Sequence, residues 1–358
     1  MSKEKKEVKL EHISKIYINP KTKKEFYAVN DVSVDIKAGE FVTLLGPSGC
    51  GKTTILRMIA GFESPDEGEI YIGNNPINHL TPDKRDTAMV FQSYALLPHL
   101  NIFDNVAYGL KLRKFSKSEI EKKVLDMLDL VELNGMEGRM INQLSGGQQQ
   151  CVALARALVI EPSVLLFDEP LSNLDAKLRV VMRTEIRKIQ ERVGITAIYV
   201  THDQSEAMAL SDRIIIMEKG VVAQVGTPEE IYYYPKSKFV ADFIGEANFL
   251  QGNVRKIENS KITFNVNGAE FISDINCKVN EGSTYTLVLR PESISLEDKG
   301  IVPCEVVISN FMGSYHYYQV KVGEEIIKIQ LFNPKNKRIY NVGDRCYLAF
   351  DTSNIHIL

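Results

Sequence analysis

Residues 41–54 read Phe-Val-Thr-Leu-Leu-Gly-Pro-Ser-Gly-Cys-Gly-Lys-Thr-Thr, an apolar run that empties directly into a glycine-rich turn. Gly46 to Thr53 fits the pattern G-x-x-x-x-G-K-[ST] without a gap. The pattern has a physical logic. Gly46, Gly49 and Gly51, with Pro47, Ser48 and Cys50 between them, let the backbone fold tightly and turn its N–H groups toward a polyphosphate. A helix is expected from near Gly51 through Thr54 to Ala60, closed by Gly61, so its positive end faces the same anion. Lys52 then reaches the β- and γ-phosphates, and the Thr53 hydroxyl offers Mg²⁺ the hard oxygen it prefers. A strand before the loop and a helix after it predict a nucleotide-binding α/β domain.

The rest of the chain sets bounds on that reading. Its 358 residues suffice for roughly two domains, and a net charge of -3 argues against nucleic-acid binding through bulk positive charge. Five cysteines, Cys50, Cys151, Cys277, Cys304 and Cys346, lie apart without a C-x-x-C pair, which suits free thiols in a reducing compartment. Met1–Lys9 is a mixed-charge stretch without an apolar signal region. No window approaches 18 consecutive apolar residues, so a cytoplasmic, non-spanning protein is expected.

From Val8 to about Gly226, short aliphatic runs alternate with helical patterns, as in a domain built on a largely parallel sheet. The clearest strands are Phe41–Leu45, Val164–Phe167, Ala197–Val200 and Ile214–Met217. Ala176–Val193 carries Leu178, Val181, Met182, Ile186 and Ile189 at helical spacing, and Lys117–Leu130 carries Ile120, Val124, Leu125 and Leu128. The second of these belongs to an inserted helical region of about 101–157. After a helical connector at Phe239–Ile244 the texture changes to alternating strands such as Lys261–Val266, Tyr285–Arg290, Cys304–Ser309 and Tyr317–Val322. The predicted organisation is therefore an α/β domain over 8–245 and a small all-β domain over 246–358.

Val164–Phe167 runs into Asp168 and Glu169, so a buried strand delivers two carboxylates at the end where parallel sheets bind ligands. Asp168 is placed to hold Mg²⁺ and Glu169 to polarise the water that attacks a γ-phosphate. Farther along, Ser145, Gly146, Gly147 and Gln148 open a helix. Ser145 and Gln148 have capping-box spacing, which is an ordinary structural explanation. The two glycines point further, because they weaken the first turn yet leave its N-terminus bare enough for an anion. Two anion sites for one nucleotide imply a head-to-tail pair of chains, each ATP held between Gly46–Thr53 of one and Ser145–Gln148 of the other.

Leu144–Gln148 is LSGGQ, and with it residues 8 to about 245 resemble the nucleotide-binding domain of ABC transporters, a phosphate-loop ATPase. The resemblance implies further roles. Gln92 corresponds to the glutamine that touches metal and attacking water beside the membrane partner, and His202 to the histidine at the γ-phosphate. Ser172-Asn173-Leu174-Asp175 corresponds to the loop that communicates across the dimer, and Tyr17 to the aromatic that stacks on adenine. Leu289-Arg290-Pro291-Glu292, with the strands around it and the junction Tyr233 to Asn248, resembles the OB-like TOBE domain of importer ATPases in the maltose, sulfate, polyamine, ferric iron and phosphonate group.

That resemblance implies an ATP- and Mg²⁺-dependent subunit at the cytoplasmic face of the plasma membrane. It would act as a homodimer beneath two transmembrane permease subunits, served by an extracytoplasmic solute-binding protein, with no nucleic-acid partner. Ala95–Pro98, an apolar stretch expected at the surface, would face the permease. Among cargoes the subfamily leans to polyamine or ferric iron. The alternative is a soluble ABC ATPase acting on nucleic acid or ribosomes, disfavoured by the single cassette, the missing heptad array and the mild acidity. Two positions depart from the family: Cys151 stands where arginine is usual, and Ile141 where many relatives have proline.

Overall fold

The computed structural model describes residues 5–258, 261–266, 268–273, 279–300 and 302–358; Cys277 falls outside them. The chain forms two units divided between Pro228 and Glu229. The first runs β1 (Val8–Ile18), β2 (Glu25–Ile36), β3 (Phe41–Leu45), α1 (Lys52–Ala60), β4 (Glu67–Ile72), β5 (Asn75–Pro76), β6 (Thr87–Val90), α2 (Ile102–Leu112), α3 (Lys117–Leu130), α4 (Gly146–Leu158), β7 (Val164–Asp168), α5 (Ala176–Val193), β8 (Thr196–Thr201), α6 (Gln204–Leu210), β9 (Arg213–Glu218) and β10 (Val221–Gly226). The second runs α7 (Pro228–Tyr233), α8 (Lys238–Phe243), β11 (Asn248–Glu258), β12 (Lys261–Val266), β13 (Ala269–Ser273), β14 (Thr284–Leu289), β15 (Ile294–Glu297), β16 (Val302–Phe311), β17 (Tyr315–Val322), β18 (Glu325–Phe332), β19 (Arg345–Phe350) and β20 (His356–Ile357).

The central sheet of the first unit has the order β10-β9-β3-β8-β7-β6, parallel throughout except for β10. Its strands are apolar on both sides because both faces are covered. Phe41, Phe167 and Tyr199 turn to the face packed by α2, α4 and α5, with ring centroids 5.6–6.3 Å apart. Val42, Leu44, Leu166, Ile198 and Val200 turn to the other face, against α1 and β1. A separate antiparallel sheet, β2-β1-β4-β5, lies in the same unit.

Helical periodicity in the sequence overcounts the buried faces. In α3, Ile120, Val124 and Leu128 are buried, but Leu125 is 41% exposed. In α5, Met182, Ile186 and Ile189 are buried, whereas Val181 is 55% exposed. Each outlier stands about 100° round the helix from its buried neighbour, which is enough to carry it off the core.

The end of α1 is fastened by a side chain that sequence patterning does not single out. Arg85 is buried and donates to the carbonyl oxygens of Ile59 at 2.9 Å, Leu80 at 3.0 Å and Met58. The carbonyls of Met58 and Ile59 lie in the last turn of α1, which a helix leaves unsatisfied. Replacing Arg85→Met should therefore lower unfolding stability by about 2–4 kcal/mol, read as a drop in the urea midpoint. A change within about 0.5 kcal/mol would mean that water replaces the guanidinium without loss.

In the second unit, β13-β12-β11-β14-β20 and β15-β19-β16-β17-β18 form two antiparallel sheets around Val254, Phe264, Leu287, Tyr318, Val320 and Ile329. The division of the chain falls ahead of the 245/246 boundary expected from composition. The reason is Arg290, whose guanidinium donates to the carbonyls of Tyr232 at 2.7 Å, Ala241 at 2.8 Å and Glu246 at 3.2 Å. It also lies 4.2 Å from the centroid of the Tyr232 ring, so α7 and α8 belong with the β-unit.

Candidate active site

Four neighbouring strands, β3, β8, β7 and β6, run in one direction and release their functional residues at the same edge. Register pairs Leu45 with Thr201, Val200 with Asp168, and Phe167 with Val90. The glycine loop follows β3, His202 follows β8, Asp168 and Glu169 end β7, and Gln92 follows β6. This is the carboxyl end of a parallel sheet, where ligands bind.

The loop has little room for other residues. A Cβ at Gly46 would stand 2.5 Å from the Met217 carbonyl oxygen and 2.6 Å from Cys50 Sγ. Gly51 caps α1 at φ 105°, a backbone angle that disfavours side chains, and a Cβ there would meet the Ala28 carbonyl oxygen at 2.3 Å. Lys52 is buried, and its ammonium donates to the carbonyls of Gly46 at 2.7 Å and Pro47 at 2.9 Å. It thus sits at the centre of the loop Gly46-Pro47-Ser48-Gly49-Cys50-Gly51. Tyr17 on β1 donates its hydroxyl to Glu63 at 3.0 Å, with the Lys15 ammonium 5.5 Å from its ring centroid and the Thr54 hydroxyl acting on its phenol. Glu63 was not legible from sequence, where it reads as a surface acid after Gly61.

Thr53 Oγ1 lies 3.4 Å from Asp168 Oδ1, so residues far apart in sequence supply one oxygen-rich corner. Burial raises the Asp168 carboxyl above the usual aspartate range, against the opposing effects of Arg57 and Thr53. Next to it, Glu169 adopts φ 45°, a left-handed backbone costly for a glutamate, and its N–H is held by the Val200 carbonyl at 3.1 Å. Its carboxylate stands 3.3 Å from His202 Nδ1. Behind His202, the buried Glu206 accepts from Tyr199 and Thr201 hydroxyls at 2.8 Å each, and burial raises its carboxyl. In sequence it looks like any acid in the first turn of a helix.

Gln92 donates to the Ser172 hydroxyl at 3.1 Å, and its backbone carbonyl accepts from the Asn173 amide at 2.9 Å. Ser172 in turn donates to the Glu169 carbonyl at 2.9 Å, so Gln92 reaches the end of β7 through one hydroxyl. Asp175 caps α5, accepting from the N–H groups of Lys177 and Leu178. The expected apolar surface at 95–98 is smaller than predicted. Leu96 and Leu97 are half-buried, Leu97 being held by Asn105, and only Ala95 and Pro98 are exposed.

Ser145 and Gln148 form a complete capping box: Gln148 N–H donates to Ser145 Oγ at 3.3 Å, and Ser145 N–H to Gln148 Oε1 at 3.0 Å. The neighbouring glycines have a packing reason beyond the anion access inferred from sequence. A Cβ on Gly146 would stand 2.8 Å from Leu174, and one on Gly147 3.0 Å from Leu178 and 3.2 Å from Met182. The start of α4 thus presses against the start of α5. Cys151 is half-buried on the same side, its thiol pushed up to about 11 by burial and by Glu185 and Glu132. None of the described contacts of Ser145–Gln148 is with the glycine loop, Asp168 or Glu169.

Kinship agrees with this layout. Residues 29–172 match the ABC transporter family model and residues 287–358 the TOBE domain model. The Fe(3+) ions import ATP-binding protein FbpC of Vibrio cholerae is 44% identical over 333 residues, spanning 92% of this chain and 93% of that protein. Among solved structures, the ATP-binding cassette MJ0796, a dimer in a post-hydrolysis state with ADP and Pi, is 36% identical and covers 62% of this chain and 98% of its own, with a TM-score of 0.54. The cbiO1 protein of Clostridium perfringens, part of the ABC transporter complex cbiONQ, is 28% identical over 64% of this chain and 91% of its own, with a TM-score of 0.57. Motif order, strand order and kinship converge: the chain belongs to the ABC transporter ATP-binding proteins, ATPases built from a phosphate-loop cassette with an inserted helical region and a C-terminal OB-like TOBE domain.

Proposed function

We propose that this chain is the energy-coupling ATPase of a ferric iron importer, working as a head-to-tail homodimer beneath two permease subunits at the cytoplasmic face of the membrane. A solute-binding protein outside the membrane would deliver the cargo, and residues 246–358 would serve as a regulatory domain. The observation that carries the reading is the 44% identity to an Fe(3+) import ATP-binding protein across both cassette and β-domain. Among the described residues no helix is long and apolar enough to cross a membrane, so the path for the solute must come from other subunits.

The chemistry follows from charge and position. Thr53 and Asp168 supply the hard oxygens that Mg²⁺ takes, and they would hold it; once bound, it neutralises phosphate charge. Lys52 and the loop N–H groups bind the β- and γ-phosphates, while Tyr17 flanks the base. Glu169 accepts a proton from the attacking water, and His202 steadies the γ-phosphate beside it. Ser145–Gln148 of the opposing chain completes the γ-phosphate site through its helix N-terminus.

The cargo is tested in vesicles containing this subunit, its permease pair and its binding protein, by ATP-driven uptake of ferric iron against a polyamine. Uptake of the polyamine alone would overturn the iron assignment. In the same vesicles Gln92→Ala should cut uptake about tenfold with nucleotide affinity unchanged, because Gln92 joins the catalytic edge through Ser172 to the loop 93–99. Equal losses of ATP affinity and transport would remove Gln92 from the coupling path.

A further inference from the structure

We propose that Cys304 and Cys346 are a redox modification site, a dithiol that closes to an intrachain disulfide within the C-terminal unit. They are direct register partners on the antiparallel strands β16 and β19, and their sulfur atoms are 3.5 Å apart. Directly opposed residues in such a ladder hold their Cα atoms about 4.5–5.5 Å apart, inside the range of about 4.4–6.8 Å that a disulfide spans. Side-chain rotation therefore suffices to bring the sulfurs together, and the sheet need not open. The other described cysteines lack this arrangement: Cys50 neighbours Lys52, and Cys151 lies among Glu132, Leu178 and Met182.

Access is limited. Cys304 and Cys346 are only 6% and 2% exposed and face the core of this unit with Val306, Tyr318 and Leu348, while the alternate residues Glu305 and Arg345 face outward. A molecule the size of hydrogen peroxide therefore reaches the sulfurs through transient local opening of this core. Burial pushes both thiols up, and the hydrogen bond between them favours Cys346 as the one that gives up its proton. The Cys346 thiolate attacks one oxygen of hydrogen peroxide, the O–O bond breaks, and the departing hydroxide takes the released proton as water. Cys304 sulfur then attacks the resulting sulfenic sulfur, the S–O bond breaks, and the hydroxyl leaves with the Cys304 proton as a second water. The two sulfurs together lose two electrons, which the peroxide gains. The bond closes a loop that contains β17 and β18, so it restrains the strands from β16 to β19.

The test exposes the full-length native protein to hydrogen peroxide, blocks remaining thiols after denaturation, and maps peptides by mass. The expected result is a 304–346 crosslinked peptide, an intact mass lower by the two thiol hydrogens, and complete reversal by dithiothreitol. Amide exchange in β16–β19 should slow in the oxidised form. Cys304→Ala and Cys346→Ala should each abolish the crosslink; should either fail to fold, the wild-type peptide map still decides. Recovery of both thiols free, or conversion to sulfinic and sulfonic acids without the crosslink, would overturn the proposal.

Discussion

Glu169→Gln should lower the rate of ATP hydrolysis by about 10²–10⁴-fold while leaving ATP affinity unchanged. The side chains match in shape, so only basicity is lost, and the barrier rises by about 3–5 kcal/mol. Position is protected by the backbone: Glu169 is held at φ 45° by the strand end behind it, by its N–H to Val200 and by the Ser172 hydroxyl on its own carbonyl. The carboxylate also stands 3.3 Å from His202 Nδ1, an exposed imidazole that an amide contacts more weakly. With binding intact and hydrolysis blocked, two chains should accumulate as an ATP-loaded dimer. Phosphate release and gel filtration with ATP read the two effects separately. Turnover at the wild-type rate would take the base role away from Glu169, and weakened nucleotide binding would show that the carboxylate acts in the ground state.

Much of this site was legible in the residues because each motif carries its own physical constraint. The strand 41–45 announced itself by being apolar at four of its five positions on both sides of the chain, which requires both faces covered, and α3 and α5 began and ended where Ser116, Asp175 and Gly194 cap them. Other features depend on what lies across from a residue. Gly146 and Gly147 read as a bare anion site, but the tight approach of Leu174, Leu178 and Met182 is visible only once α5 is in place. Gln92 could not be seen to bond Ser172, since the order β8-β7-β6 sets them side by side. Arg85, Glu63 and Glu206 were silent for the same reason: a charge withdrawn from solvent, wholly for Arg85 and Glu206 and partly for Glu63, is recognised by its partners, and those come from elsewhere in the fold. The unit boundary moved because one guanidinium, Arg290, gathers three carbonyls from the connector.

Ser145→Asp separates the two readings of the signature helix. Aspartate caps a helix about as well as serine, so α4 should start where it does now and unfolding stability should stay within about 0.5 kcal/mol. ATP affinity of the single chain should hold as well, because the glycine loop, Lys52 and Tyr17 share no described contact with Ser145. If Ser145 of one chain faces the γ-phosphate held by another, the new carboxylate repels it across the interface. Hydrolysis should then fall at least about 10²-fold, and the ATP-loaded dimer trapped by Glu169→Gln should no longer form. Ser145→Ala provides the counterpart: it removes the hydroxyl that accepts from Gln148 and should cost about 0.5–2 kcal/mol in stability without adding repulsion. The decisive comparison is between these two variants. A protein in which activity follows stability, with alanine the more damaged and aspartate near normal, uses Ser145 only as a cap, and the shared active site between two chains would be lost with it.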